Sequence, residues 1–490
     1  MFRKIYFSIL LIVLIYFTGC KKFLEEKIYS QLAPENFLNT EDGIRSLLYD
    51  AYARAANMRT NNSIYVIAPQ EWTTDILFQS GDNVERDARN YINFLWDPSI
   101  TFLIDNWDPP YQTIRDVNML LTAIPSVPTL SERARLLYIA ESRFLRAISY
   151  YKLYFFFGPV PLRTEITTDL LLPRATDNDM KDFIETELLA IIPDLPDPGK
   201  EEAYGRAHKA AAMGFLCKFY LNTKQWEKAA NMAQDIISKF SYGLFNDYVH
   251  LFSVENERNN EFIWVRPALA SSDRATANSW MNTSFPDNFA EAPSLGVKYL
   301  PTYVNWPNEF RIYDAFYNSF DPNDKRRSLL VTFYINSSGQ TVSLLGNDNI
   351  RSFKYLPDPD AKGASHGNDI PEIRYADILL SRAEALNELN GPNQESINLI
   401  NLIRNRAGLG NLNLADFESK EALRDHILKE RGWEFYSEGH RRMDLIRMNK
   451  FISGALERGK TNAKPFHVLF PIPQVVMDSD PSMVQNDGYY

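Results

Sequence analysis

Residues Gly363-Ala364-Ser365-His366-Gly367 have the spacing of the nucleophile elbow that lifts a serine above a hydrolase sheet. That spacing carries chemistry only between a strand and a helix, and here a stretch rich in Pro and Asp precedes it, so catalysis by Ser365 is not expected. The overlapping stretch Asp358–Asp369 has the length of a calcium loop. Lys362 stands where a ligand oxygen is needed and the last residue is not Glu, which argues against an EF-hand and leaves an irregular calcium site open. Further on, Glu434 and Glu438 are four apart on a helix face, with His440 and Asp444 following. Glycoside hydrolysis would need such carboxylates about 5 Å or about 6.5–9.5 Å apart across a cleft. Arg431, Arg441, Arg442 and Arg447 surround them in sequence; cations there would hold both ionised and remove the proton donor. A structural ion-pair network is the expectation. Cys217 sits in an apolar helix with no charged partner nearby in sequence, so a buried small residue is expected rather than a nucleophile. The chain holds no zinc motif, phosphate loop or dinucleotide fingerprint.

The first twenty residues, MFRKIYFSILLIVLIYFTGC, set the address. Arg3 and Lys4 lead an apolar run from Ile5 to Phe17, and Thr18-Gly19-Cys20 closes it. A membrane-crossing helix needs roughly 20 apolar residues, so this run has the proportions of a secretory signal instead. A cysteine directly after a small residue resembles a bacterial lipobox, with Phe17 where leucine is usual. Cys20 is then the expected attachment point of a diacylglycerol (palmitate-type) anchor, and two chains make such attachment lasting.

Apolar residues make up 45% and charged residues 23%, as in an ordinary globular protein. The net charge of −10 argues against a nucleic-acid partner, which needs a basic face, and against adsorption to anionic lipid. With Cys20 consumed by the anchor, Cys217 cannot form an internal disulfide, and the core must hold by burial alone.

The elements that would carry these residues are mainly helical. Thr40 caps a helix with Glu41 and Asp42 at its positive end and Ile44, Leu47, Leu48, Ala51 and Tyr52 on one face. From Asn57 to Asp108 no sustained period is visible. Helices are then expected over Tyr111–Ile124, from Ser131 as cap to Phe157 before Gly158-Pro159, and over Asp177–Ile192. Leu216, Cys217, Tyr220, Ala229 and Ala233 fall at the offsets of a tetratricopeptide hairpin, and Ala383, Leu386, Ser396 and Ile400 repeat them. A looser copy includes Ala147 and Tyr151. Two copies point to a repeat-type α scaffold.

Between the hairpins, Ser241–Asp369 is rich in Asn, Pro, Ser and aromatic residues. A stretch of this length without helical period is functional or disordered, and its aromatic load argues against disorder.

In this order along the chain, several motifs resemble the SusD/RagB-like outer-membrane lipoproteins of glycan-utilisation systems. They are Cys20 to Glu26, Arg143–Ala147 leading to Gly158-Pro159-Val160-Pro161-Leu162, Gly205-Arg206-Ala207, Asn368–Leu380 with Ala383–Leu386, Glu430–Arg447, Phe470-Pro471-Ile472-Pro473 and Gln485–Tyr489. Asp487 stands where that family usually has proline. The resemblance implies an all-α dominated, tetratricopeptide-like scaffold with long irregular loop-rich insertions. It divides the chain into a signal (1–19), an N-terminal helical region (20–240), a loop-rich ligand-binding region (241–370) and a C-terminal helical region (371–490). It further implies a surface position on the outer membrane, a SusC-like TonB-dependent transporter as partner, a glycan as ligand, and no catalysis or further cofactor. A peptide-capturing or structural lid of the same transporter, or a surface glycoside hydrolase, are the alternative readings.

Aromatic rings stack on the C–H faces of sugars while nearby polar groups bond the hydroxyls. The candidates in the two irregular stretches are Tyr65, Trp72 and Trp96, then Trp280, Tyr303 and Trp306; the same residues could instead anchor long loops to the core. Trp107, Trp226 and Trp433 are read as structural.

Overall fold

The computed structural model describes residues 37–55, 62–80, 85–167, 171–271, 278–306 and 310–489, so Cys20 and the leader lie outside the described residues. The N-terminal part holds α1 (Glu41–Ala55), α2 (Asn62–Trp72), β1 (Leu77–Gln79), α3 (Glu85–Ile92), α4 (Thr101–Ala123), α5 (Glu132–Phe157) and α6 (Asp177–Ile191). The first hairpin is α7 (Lys209–Asn222) with α8 (Trp226–Lys239). The loop-rich part holds β2 (Phe262–Arg266), the single turn α9 (Trp280–Ser284), β3 (Phe289–Ala292), β4 (Val297–Lys298), β5 (Phe310–Ile312), the single turn α10 (Asp314–Asn318), β6 (Leu330–Val331), β7 (Phe333–Asn336), β8 (Thr341–Ser343) and β9 (Arg351–Ser352). After β10 (Ile370–Arg374) follow α11 (Tyr375–Asn390), α12 (Gln394–Arg406), α13 (Lys420–Phe435), α14 (Arg441–Arg447), α15 (Phe451–Glu457) and α16 (Gln474–Ser479).

Local signals set the helix ends. Thr40 Oγ1 accepts from Gly43 N at 3.1 Å, Ser131 Oγ from Ala134 N at 3.2 Å and Thr176 Oγ1 from Asp179 N at 3.1 Å. Gly158 stops α5 at φ 73°, a conformation that glycine adopts without steric cost. Two expectations need correction. The stretch 57–108 contains α2, β1, α3 and the start of α4, and α4 begins ten residues earlier than the sequence suggests. Pro109 and Pro110 lie inside α4 and hide it, since each proline removes a helical donor at a cost of about 3 kcal/mol. Tertiary packing offsets that cost: Trp107 meets Phe157 at 5.1 Å and Phe102 meets Trp72 at 5.4 Å, both edge-on.

The helices stack as a succession of neighbours, α1 on α4, α4 on α5, α5 on α6, α7 on α8, α8 on α11 and α11 on α12 and α13. The repeat positions do what their sizes require: Leu216, Cys217, Ala229, Ala233, Ala383, Ser396 and Ile400 are fully buried, so the paired helices approach closely. Burial pushes the Cys217 thiol up, in keeping with a core residue. No helix among the described residues is long and apolar enough to cross a membrane.

The loop-rich part is ordered by short antiparallel pairings. β2 pairs with β10, β1 with β5, β6 with β9, and β4-β3-β7-β8 form one sheet. Among the described residues the hydrophobic core is one cluster that runs from Ile44 to Tyr489.

Candidate ligand-binding cleft

The aromatic residues picked from the irregular stretches are for the most part core residues. Trp72 is 1% exposed, with Tyr91 at 5.9 Å and Phe310 at 6.0 Å. Trp96, 3% exposed, stacks on Tyr91 and donates from Nε1 to Tyr489 Oη at 2.8 Å. Trp280 is fully buried against Phe310 at 4.8 Å. Tyr303 is buried between Phe285, stacked at 5.7 Å, and His366 at 5.4 Å. Trp72, Trp96, Trp280 and Tyr303 therefore do not offer the open face that stacking on a sugar needs. The reason is volume: short strands and turns fill space poorly, and large rings close the gaps beneath them. Trp306 is half-buried and packs against the same core, with its backbone N–H donating to Asn282 O at 2.7 Å. Tyr65 lies in α2, and its side chain is outside the described residues.

The structure gathers a different aromatic group. In the β1–β5 ribbon, Leu77 faces Ile312 and Phe78 faces Arg311, so alternation sends Leu77 and Ile312 to the core and Phe78 outward. Phe78 and Tyr313 stack at 4.7 Å and 24°, both half-buried. Tyr313 is one wall of a cleft of about 920 Å³, which also takes in Phe316 of α10 and Trp433 of α13. Trp433 Nε1 donates to Ser319 Oγ at 2.9 Å, which fixes the indole at the rim, and its ring stays half-buried. Sequence position on a helix had marked Trp433 as structural. Its exposure is set by Ser319 and Phe320, more than a hundred residues earlier, and no local signal could reveal it.

Polar groups line the rest of the cleft. Asp75 and Arg441 form a two-pronged pair at 2.8 Å on each prong. Burial alone would raise the Asp75 carboxyl, but Arg441 outweighs it and holds it at about 2, so it remains a charged acceptor. Lys450 reaches Asp425 at 3.0 Å, and Asp348 Oδ1 accepts from Asp314 N at 2.7 Å. Half-buried rings beside fixed donors and acceptors, in a volume of this size, suit an oligomeric ligand with apolar faces and many hydroxyls.

The groups that could have done chemistry are occupied structurally. Ser365 and His366 are buried in a turn closed by a Lys362–Ser365 bridge, not between a strand and a helix. His366 Nδ1 faces Asp358 N at 3.1 Å, and burial pulls its imidazole down to about 4. Asp358 accepts from Asp360 N and Gly367 N, each at 2.8 Å, and Asp369 accepts from Tyr204 Oη at 2.7 Å and Ala268 N at 3.0 Å. Among the described residues no group of three or more His, Cys, Asp or Glu side chains is placed to hold a metal ion.

Glu434 and Glu438 belong to a buried ion network, although its cations are not the ones adjacent in sequence. Arg374 meets Glu434 at 2.6 Å and Glu438 at 2.7 Å; Arg326 and Arg406 also reach Glu434, and Lys354 reaches Glu438. Of the neighbours in sequence, Arg431 pairs with Asp377 and Asp444, Arg441 with Asp75, and Arg447 with Glu384 and Asp444. Arg442 instead lies over the Phe470 ring at 4.2 Å. Burial would raise the Glu434 carboxyl, but Arg406, Arg374 and Arg326 hold it well below the usual carboxylate range, so it has no proton to donate at neutral pH.

A stack of tetratricopeptide-type hairpins carrying a loop-rich face with an aromatic cleft defines a helical-repeat protein of the kind that presents a rigid surface to a ligand. The chain belongs to the SusD family: residues 241–489 match that family, and residues 22–221 match the family described as starch-binding associating with outer membrane. Among curated proteins it is similar to SusD-like protein P25 of Formosa agariphila, 26% identical over 96% of both chains. It is also similar to starch-binding protein SusD of Bacteroides thetaiotaomicron, 25% identical over 71% of this chain and 72% of that one. Among solved structures, a laminarin-binding SusD-like protein superposes with a TM-score of 0.76 at 24% identity, covering 92% of this chain and all of that one.

Proposed function

We propose that this protein captures a glycan at the outer surface of the outer membrane and passes it, without chemistry, to a SusC-like TonB-dependent transporter. The observation that carries this reading is the cleft walled by Tyr313, Phe316 and Trp433, with the Asp75–Arg441 pair in reach as acceptor and donor. The family's association with the outer membrane and the starch- and laminarin-binding relatives support a carbohydrate ligand. A diacylglycerol on Cys20 would tether the body while leaving it free to sit over a barrel.

Titration calorimetry against starch-type and laminarin-type oligosaccharides tests the ligand class. Alanine at Tyr313 or Trp433 is expected to weaken binding about tenfold or more, since each removes a stacking face. Unchanged affinity in both variants, with loss in Trp306→Ala, would move the site to Trp306. Release of reducing ends from the same panel would favour the hydrolase reading, and retention of peptides but no glycan would favour the peptide-capturing lid. Cys20→Ala is expected to abolish palmitate labelling and free the protein from the membrane fraction; labelling that persists would undo the anchor assignment.

A further inference from the structure

Against a net charge of −10, the lining of the aromatic cleft holds five cations, Lys429, Arg441, Lys450, Arg458 and Lys460, to four carboxylates. Arg458 closes α15, and its Nη2 reaches Thr73 O at 3.4 Å, while its Nε is buried with no acceptor. Lys460 lies two residues on and meets a neutral group, Asn93 Oδ1, at 3.2 Å. Asp75, the nearby carboxylate, has both oxygens taken by Arg441. Asp425 is held by Lys450, and Asp348 is engaged by a backbone N–H; Glu457 is the remaining carboxylate of the cleft, and exposed Lys429 lines it too.

Burial lowers the proton affinity of Arg458, outweighing the pull of Asp75 and Glu457, and burial together with the Arg458 charge lowers that of Lys460; among the described residues neither cation has a carboxylate within ion-pair distance. Arg458 also lies within electrostatic reach of the Tyr313 hydroxyl, so a sugar stacked on Tyr313 would bring its substituents to the guanidinium.

We propose that the cleft selects an acidic glycan, with a sugar ring on Tyr313 and its anionic substituent, a carboxylate or a sulfate ester, seated between Arg458 and Lys460. This rests on the glycan-binding reading above and adds the charge class of the ligand. An anion there would relieve the repulsion between the two cations and accept charge-assisted bonds, which are the strong ones.

The test is calorimetry of the intact protein with polygalacturonate, a sulfated galactan and neutral laminarin, at low and high salt. One of the two acidic polymers is expected to bind at least about tenfold more tightly than laminarin, with a preference that shrinks as salt rises. Which polymer wins identifies the anion. Lys460→Gln and Arg458→Gln are each expected to remove roughly tenfold of that preference and to flatten its salt dependence. If Arg458→Gln does not fold, Lys460→Gln, at a half-buried surface position, still decides. Laminarin bound as tightly as both acidic polymers, indifferent to salt and to Lys460→Gln, would overturn the proposal and leave glycan capture standing. Binding of none of the three would overturn both.

Discussion

Arg374 is the residue on which distant stretches of the chain converge. Its guanidinium meets Glu261 at 2.7 Å, Glu434 at 2.6 Å and Glu438 at 2.7 Å, and the Phe435 ring covers one face at 4.5 Å. Every member of this network is essentially without solvent, so each charge is tolerable only while its partners remain. Glu434→Ala should therefore destabilise by about 3–5 kcal/mol in urea titration. Arg374→Lys should be poorly tolerated too, because an ammonium cannot reproduce the fork. The same groups set an acid limit. His440 is buried and its imidazole is pulled down to about 4, so the folded state keeps it neutral while an unfolded chain takes up a proton near 6.5. Burial would raise Glu372, but Arg266 and Lys152 outweigh it and hold it at about 2. The imidazole resists protonation and the carboxylates are held ionised, so in both cases the unfolded state binds more protons and stability is lost as pH falls. The melting temperature should fall steeply below about pH 4.5, as these carboxylates titrate; between about pH 7 and 4.5 the histidine loss is offset by Glu71 and Glu141, which burial raises to about 8 and about 7. A flat profile from pH 7 to 3 would contradict this account.

At the scale of elements, α7 packs closely against β10. A methyl group on Gly214 would lie 2.8 Å from Ile373 Cδ1 and 2.9 Å from Cγ2. Gly214→Ala should lower the urea midpoint even though alanine favours a helix by about 1 kcal/mol, because the β-branched neighbour has no room to yield. In an Ile373→Ala background the same change should be neutral or stabilising; equal effects in both backgrounds would mean that the contact does not limit the packing. This shows what was legible in the sequence and what was not. Caps at Thr40 and Ser131, the stop at Gly158 and the two hairpins are decided by residues within a few positions, and the sequence reading recovers them. α4 was hidden because its two prolines are compensated by rings far along the chain. Trp96 and Trp433 went astray for the same cause: the partners that bury one and expose the other, Tyr489 and Ser319, are remote. The aromatic richness of the loop face was correctly seen, but which rings face outward is a tertiary property.

Across the whole molecule, the two ends of the described chain brace each other. Glu71 Oε1 accepts from Gly439 N at 3.0 Å, and Asp75 pairs with Arg441. Asn486 donates to Phe157 O at 2.9 Å and Phe470 O at 2.7 Å and accepts from Arg174 at 2.7 Å. Tyr489 accepts from Trp96 Nε1 and donates to Leu469 O, both at 2.8 Å. With a single hydrophobic cluster beneath these contacts, the helical and loop-rich parts should unfold together rather than as separate units. Removing residues 485–490 tests this at a distance, because the lost partners belong to α5 and to the Trp96 corner. Hydrogen exchange should then lose protection in α3, α4 and the end of α5 as well as near the deletion, and the tryptophan emission of the folded protein should shift to the red. Loss confined to residues 465–484 would mean that the C-terminal stretch is a removable strap. Spread into the N-terminal helices would mean that the cleft, whose walls come from Tyr313, α10, α13, α14 and α15, is held by the fold as a whole.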